Sequence, residues 1–191
     1  MLSKIKDLLG LTKIPQEELR IEEKRIEWNH IFLLEALLWS LRSHDAQTKH
    51  GCVLVRNKTV LSTGYNGFIS EIDDTQLPNI RPYKYDFMVH AEHNAILNCA
   101  CNGVSTLGAQ AYITGAPCNN CLQYMWQAGI NEIIYSDFTN TKMLENEQYL
   151  RTQQALLILM NEKYMFNVKY IPSDEINFKN FIDKMDSQRI Q

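Results

Sequence analysis

Nowhere in its 191 residues does the chain run to the ~20 consecutive apolar positions that a membrane-spanning helix needs. It also lacks a basic excess. Its 19 Lys and Arg are set against 22 Asp and Glu, for a formal net charge of −3, and the basic residues are scattered. Polyanion-binding surfaces depend on a basic stripe or patch, so neither a nucleic-acid nor a membrane partner is expected. The five cysteines are odd in number, and four fall between Cys99 and Cys121. That is a poor disulfide framework and a better metal pattern, and it points to a reducing compartment, the cytoplasm. A secretory leader is not expected, because Lys6 and Asp7 interrupt the short apolar stretch LSKIKDLLGL. No internal repeat and no low-complexity segment is present.

With 45% hydrophobic residues, the length suits one domain with terminal extensions: a helical extension over 1–25, a domain over 26–172, and a partly helical tail over 173–191. Leu2, Ile5, Leu8 and Leu9 have helical spacing, suited to docking on the body of the protein or on a neighbouring subunit. Ile31, Leu34, Leu38 and Leu41 form a second helical stripe. CVLVRN and TVLSTGYN read as two strands of a hairpin turning at Asn57-Lys58. A polar loop follows over 67–86, long enough to suggest a function. HAEHNAILN opens a helix that ends near Gly103, AYIT is a strand, and PCNNCLQYMWQAG is a helix stopped by Gly129. NEIIYS is a strand, 144–163 a helix, and FNVKYI a last strand. Helices alternating with short apolar strands indicate an α/β sheet covered on both faces.

The chemistry concentrates in two pieces. His90-x-Glu92 is followed by Pro117-Cys118-x-x-Cys121, with Cys118 28 positions after His90. An imidazole and two thiolates are zinc ligands of suitable softness, and three protein ligands leave a fourth position open, the arrangement of catalytic sites. Zinc lowers the pKa of a water in that position towards ~7, and a carboxylate two residues from the histidine can move the proton. Both pieces fall at expected helix starts, where unpaired N–H groups favour anions. Pro117 suits a first helical turn. Other readings exist for each piece alone: a redox pair or structural half-site for CxxC, coincidence for HxE. An iron site using His90, His93 and a carboxylate would leave the CxxC without a use. Cys99 and Cys101 lie roughly 13–16 Å along the helix from His90, too far to complete a structural zinc site.

The segment from about Arg42 to Asp137 resembles the deoxycytidylate deaminases of the cytidine deaminase superfamily. The pieces that carry the resemblance are RSHDAQTKHGCVLV, GYNGF, KYDFMVHAEHNAI, GAQAYIT, APCNNC and QAGINEIIYSD, with VKYIP as a weaker extension. H-x-E…P-C-x-x-C marks the zinc deaminases, with the glutamate as proton shuttle rather than ligand. The resemblance implies a three-layer α/β/α fold around a mixed five-stranded sheet. It implies hydrolysis of dCMP to dUMP with release of ammonia, supplying thymidylate precursor. By it, 26–172 is a zinc-dependent deaminase domain, and His90, Cys118 and Cys121 hold one zinc per subunit. Glu92 is the catalytic acid and base. Asn66 meets the deoxyribose, the Ala91 backbone the base, and Tyr135 packs on the substrate or in the core. Arg42 and Lys49 are the candidates for the 5′-phosphate. A homo-oligomer, a hexamer by preference, is implied, with dCTP and dTTP as effectors at Gly64, Tyr65, Asn66, Gly67, Asp73 and Asp74 and magnesium at their phosphates. The chain departs from the family pattern at Ile69, where proline is usual, and at Ala46 and His50, which replace proline and valine. With no Cys or His between 67 and 89, a second zinc in this loop is not expected. Two alternatives stay open: a deaminase of another cytosine compound (dCTP, cytidine or a base in RNA), and a catalytically silent, zinc-stabilised nucleotide-binding module.

Overall fold

The computed structural model describes residues 25–139, 146–164, 166–176 and 178–188. The helix expected over 2–11 lies outside them. Five strands form one mixed sheet: β1 (Gly51–Arg56), β2 (Thr59–Tyr65), β3 (Gln110–Ile113), β4 (Glu132–Tyr135) and β5 (Asn167–Tyr170), in the order β2-β1-β3-β4-β5. β1 runs antiparallel to both β2 and β3, whereas β3, β4 and β5 are mutually parallel. The β1–β2 turn sits at Asn57 and Lys58, both with positive φ (53° and 61°), the backbone twist that a two-residue hairpin requires.

The helices are α1 (Trp28–Ser40), α2 (Ala91–Cys101), α3 (Asn119–Gln127), α4 (Glu147–Tyr164) and α5 (Phe178–Gln188). Alternation along the strands splits the core in two. Cys52, Leu54, Ala111, Ile113 and Ile133 face one side and pack with residues of α2, α3 and α4. Val53, Val55, Tyr112 and Ile134 face the other and pack with Phe32, Leu33 and Ala36 of α1. Phe181 of α5 and Ile176 join that second cluster. The result is three layers, helices on both faces of a mixed five-stranded sheet, as the sequence led us to expect.

One expectation holds only in part: of the stripe read on α1, Leu34 is buried and Ile31 packs beside it, but Leu38 is 66% and Leu41 67% exposed, and the buried face is completed by Phe32, Leu33, Ala36 and Ser40. The helix WNHIFLLEALLWS is apolar around most of its circumference, so spacing alone offered more than one candidate face. The sheet takes the face that carries Ala36, because Gly51 at the start of β1 closes directly on it. A Cβ at Gly51 would lie 1.9 Å from the Ala36 carbonyl oxygen.

Candidate metal centre and active site

Two helix starts meet beyond the end of the central strand β3, beside the start of β1. His90 is the N-cap residue of α2 and Cys118 the N-cap residue of α3, both with extended backbone. β3 ends at Ile113, and residues 114–117 carry the chain from there to α3. Cys118 caps its helix with its own sulfur, which accepts from the Cys121 N–H at 3.4 Å. The approach brings His90 Nδ1 to 3.3 Å from Cys121 Sγ and 3.6 Å from Cys118 Sγ, with the two sulfurs 3.3 Å apart. All three ligand atoms lie within 4.8 Å of one another. Among the described residues this is the only group of three or more His, Cys, Asp or Glu side chains that could hold a metal ion. A tetrahedral zinc with ordinary bond lengths spans about 3.8 Å between sulfurs and about 3.6 Å between nitrogen and sulfur, so the cluster fits that ion.

The charges are organised for a cation. The Cys118 thiol is held down to about 4, first by its hydrogen bond with Cys121 and further by His90. His90 is raised, chiefly by its bond to Cys118. The partner thiol of Cys121 is pushed up, first by its contact with the Cys118 sulfur and further by burial. Glu92, in the first turn of α2, is buried, and its carboxyl is raised by that burial although His90 pulls the other way. His93 stands apart from the cluster, its ring 4.2 Å from that of Tyr124 and 6.2 Å from that of His90. Cys52 and Cys99 are buried packing residues, and Cys101 is exposed.

Asn66 joins three segments around the cluster. Its Nδ2 donates to the Thr48 carbonyl at 3.0 Å, and its Oδ1 accepts from the Ala91 N–H at 3.1 Å. One N–H and one lone pair of this amide are left over for another partner. Gly64 has a packing role: a Cβ there would meet the Ala91 carbonyl oxygen at 2.2 Å and the Ala95 nitrogen at 2.5 Å. Gly64→Ala should therefore push α2 off the sheet at the site, with a loss of about 1–3 kcal/mol or more in urea unfolding. A loss below about 0.5 kcal/mol, the ordinary surface value, would show the contact to be soft.

The remaining expected residues are dispersed. Tyr135 is half-buried, and its ring is 5.3 Å from that of Tyr170. Arg42 and Lys49 are exposed, on the loop before β1. Asp73 accepts from the Thr75 N–H and hydroxyl, and Asp74 pairs with His44 at 3.2 Å, so each carboxylate is engaged locally.

Sequence reasoning missed the polar framework that holds these loops. Lys84 is 3% exposed and Asp45 1%, and the Lys84 ammonium donates to both Asp45 oxygens at 2.6 Å. Asp45 also accepts from the N–H groups of Gln47 and Thr48. Behind the site, Gln153 of α4 donates to the Pro117 carbonyl at 2.9 Å and fixes the approach to α3. No spacing rule links residues 39 or 36 positions apart.

The comparisons with known proteins agree with this geometry. The model of the cytidine and deoxycytidylate deaminase zinc-binding region matches residues 26–137, more than half the chain. A probable deoxycytidylate deaminase of Drosophila melanogaster is 30% identical over 188 residues, covering 92% of this chain and 89% of that protein. Human deoxycytidylate deaminase is 34% identical over 117 residues, 58% of this chain and 65% of the relative. Among solved structures, the dCMP deaminase of cyanophage S-TIM5, known in apo form and in complex with dCMP and dUMP, superposes with a TM-score of 0.57. It is 24% identical and matches 78% of this chain and 100% of its own, so it supports the fold alone. By the extent of these matches, the chain belongs to the cytidine and deoxycytidylate deaminase family.

Proposed function

We propose that the protein hydrolyses dCMP to dUMP and ammonia at this site. The observation that carries the reading is the convergence of His90, Cys118 and Cys121 beside a buried Glu92, at two helix starts. In this reading those three residues hold zinc, which when bound acidifies water for attack on C4 of the pyrimidine. Glu92 takes the water proton, delivers one to N3, and returns one to the amine as it leaves. Asn66 uses its spare N–H on the deoxyribose, and the Ala91 main chain meets the base. Tyr135 flanks the substrate, and Arg42 and Lys49 are the candidates for binding the phosphate. Relatives named for deoxycytidylate support the choice of substrate.

The test is turnover by the purified, zinc-loaded protein, read as loss of ultraviolet absorbance from dCMP, cytidine and dCTP in parallel. We expect dCMP to be preferred. A preference for cytidine or dCTP would refute the substrate, and binding without turnover of any of them would favour the silent module. Control by dCTP and dTTP, with magnesium, at Gly64, Tyr65, Asn66, Gly67, Asp73 and Asp74, belongs to the same proposal. Its test is the dCMP saturation curve with and without dCTP; identical hyperbolic curves would count against it. The homo-oligomer is proposed with it, supported by exposed apolar side chains such as Leu38, Leu41, Ile69 and Tyr83.

A further inference from the structure

His50 lies against the connection that leads to Cys118, yet no step of the deamination uses it. Its carbonyl accepts from the Asn66 N–H at 3.1 Å. Its ring lies against Gly115, on the connection to Cys118, where a Cβ would be 2.5 Å from the ring's Cε1. It therefore stands between Asn66 and the Pro117-Cys118 turn, in the wall of the same site.

The ring's tautomer is an assignment made from the hydroxyl groups around it. His50 Nδ1 is 3.1 Å from the Thr139 hydroxyl and 3.4 Å from that of Thr114. The Thr139 hydroxyl donates its one hydrogen to the Thr114 carbonyl at 2.9 Å, so towards His50 it accepts. Thr114 Oγ1 accepts from the Gly51 N–H at 3.0 Å. Assigned from this network, the ring proton sits on Nδ1, and Nε2 carries a lone pair. The ring's hydrogen bonds among the described residues all run through Nδ1. Burial, with His90 acting in the same direction, holds the imidazole down to about 4, so at neutral pH it accepts hydrogen bonds and is no cation for a phosphate.

We propose that His50 binds the substrate, its Nε2 accepting a hydrogen bond from the 3′-hydroxyl of the deoxynucleotide. The inference rests on the dCMP reading above. A dCMP molecule offers two kinds of donor, the 4-amino group and the 3′-hydroxyl. The amino group leaves from the carbon that must stand at the metal cluster, so the 3′-hydroxyl remains for a neutral acceptor in the flanking wall. A valine, as is usual in the family pattern here, could make no such bond.

The experiment compares dCMP with 2′,3′-dideoxycytidine 5′-monophosphate, which lacks that hydroxyl, in wild type, His50→Val, His50→Gln and Thr139→Val. One good hydrogen bond corresponds to a preference of about tenfold in kcat/KM. His50→Val should lower the dCMP-to-dideoxy ratio by about that factor, through KM for dCMP, and leave the dideoxy compound nearly unchanged. His50→Gln, which keeps an acceptor, should retain most of the preference, and Thr139→Val, which frees the ring, should lose part of it. A ratio in His50→Val within twofold of wild type, or equal losses on both compounds, would overturn the proposal. If His50→Val does not fold, the Gln and Thr139 variants decide: loss of the preference in the first, or full preference in the second, overturns it. If wild type turns over neither compound, the dCMP activity itself fails. The same ratio is then read as Kd by calorimetry, and the His50 proposal stands or falls on that.

Discussion

Glu92→Gln is expected to keep its metal and to lose deamination by roughly 10²–10⁴-fold, the span of general acid–base catalysis. The exchange is isosteric. It removes no member of the His90, Cys118 and Cys121 cluster, so zinc content should stay at one per subunit. What it removes is the group that carries protons between water, N3 and the leaving amine; an amide cannot cycle a proton at neutral pH. Glu92 is buried, so solvent is poorly placed to replace it. His90→Gln is the contrast: it takes away a ligand atom, and zinc and activity should fall together. His93→Gln should leave zinc unchanged, because the His93 ring packs on Tyr124. Dialysed protein assayed for zinc by atomic absorption and for dCMP turnover separates the cases. Glu92→Gln at wild-type rate would end the role given to Glu92, and metal loss in that variant would show the carboxylate to be part of the ion's support.

The metal cluster was legible from sequence because its constraints are local. His90 and Cys118 each stand at the N-cap position of the helix they precede, and Cys118 and Cys121 lie one helical turn apart. Each pair of offsets has few ways to place its donors, and only a shared ion uses all three. The hairpin was legible for the same reason, since Asn57-Lys58 between two β-branched runs leaves little but a tight turn. The buried face of α1 was legible only in its first half, at Ile31 and Leu34. Leu38 and Leu41 fit a helical stripe as well as Phe32 and Ala36 do, and the choice falls to the partner surface at Gly51, which periodicity does not contain. Arg42 and Lys49 show a related limit. Their charge suits a phosphate, but nothing local says where an exposed loop cation points. His50 was noticed only as a departure from pattern; its bonding depends on Thr114 and Thr139, 64 and 89 residues away.

The Asp45–Lys84 pair was equally hidden, and Lys84→Met is expected to cost about 3–5 kcal/mol at pH 7, because it strands a buried carboxylate. The pair joins the loop before β1 to the segment that leads into His90, so the loss should be global rather than local. It should also depend on pH. Burial alone would raise the Asp45 carboxyl, but the Lys84 ammonium and the N–H groups of Gln47 and Thr48 outweigh it and hold the group below its ordinary 3.8. A carboxyl depressed in the folded state stabilises above its unfolded pKa, and that stability is lost as pH falls through the folded value. In Lys84→Met the largest depressing influence is gone and burial acts against fewer partners, so the folded pKa moves up. The variant then gives up less stability on acidification than wild type does. The gap between them should be widest near neutrality and narrow progressively as pH drops and the buried carboxyl of the variant, no longer paired, takes up a proton. Urea unfolding of both proteins at pH 7, 5.5 and 4.5 measures the gap. A difference under about 1 kcal/mol at pH 7, the size of a surface pair, would show that the ammonium is not what holds Asp45 in place. A large difference that does not change with pH would assign the loss to the Lys84 stem packed in the loop, and not to the charge.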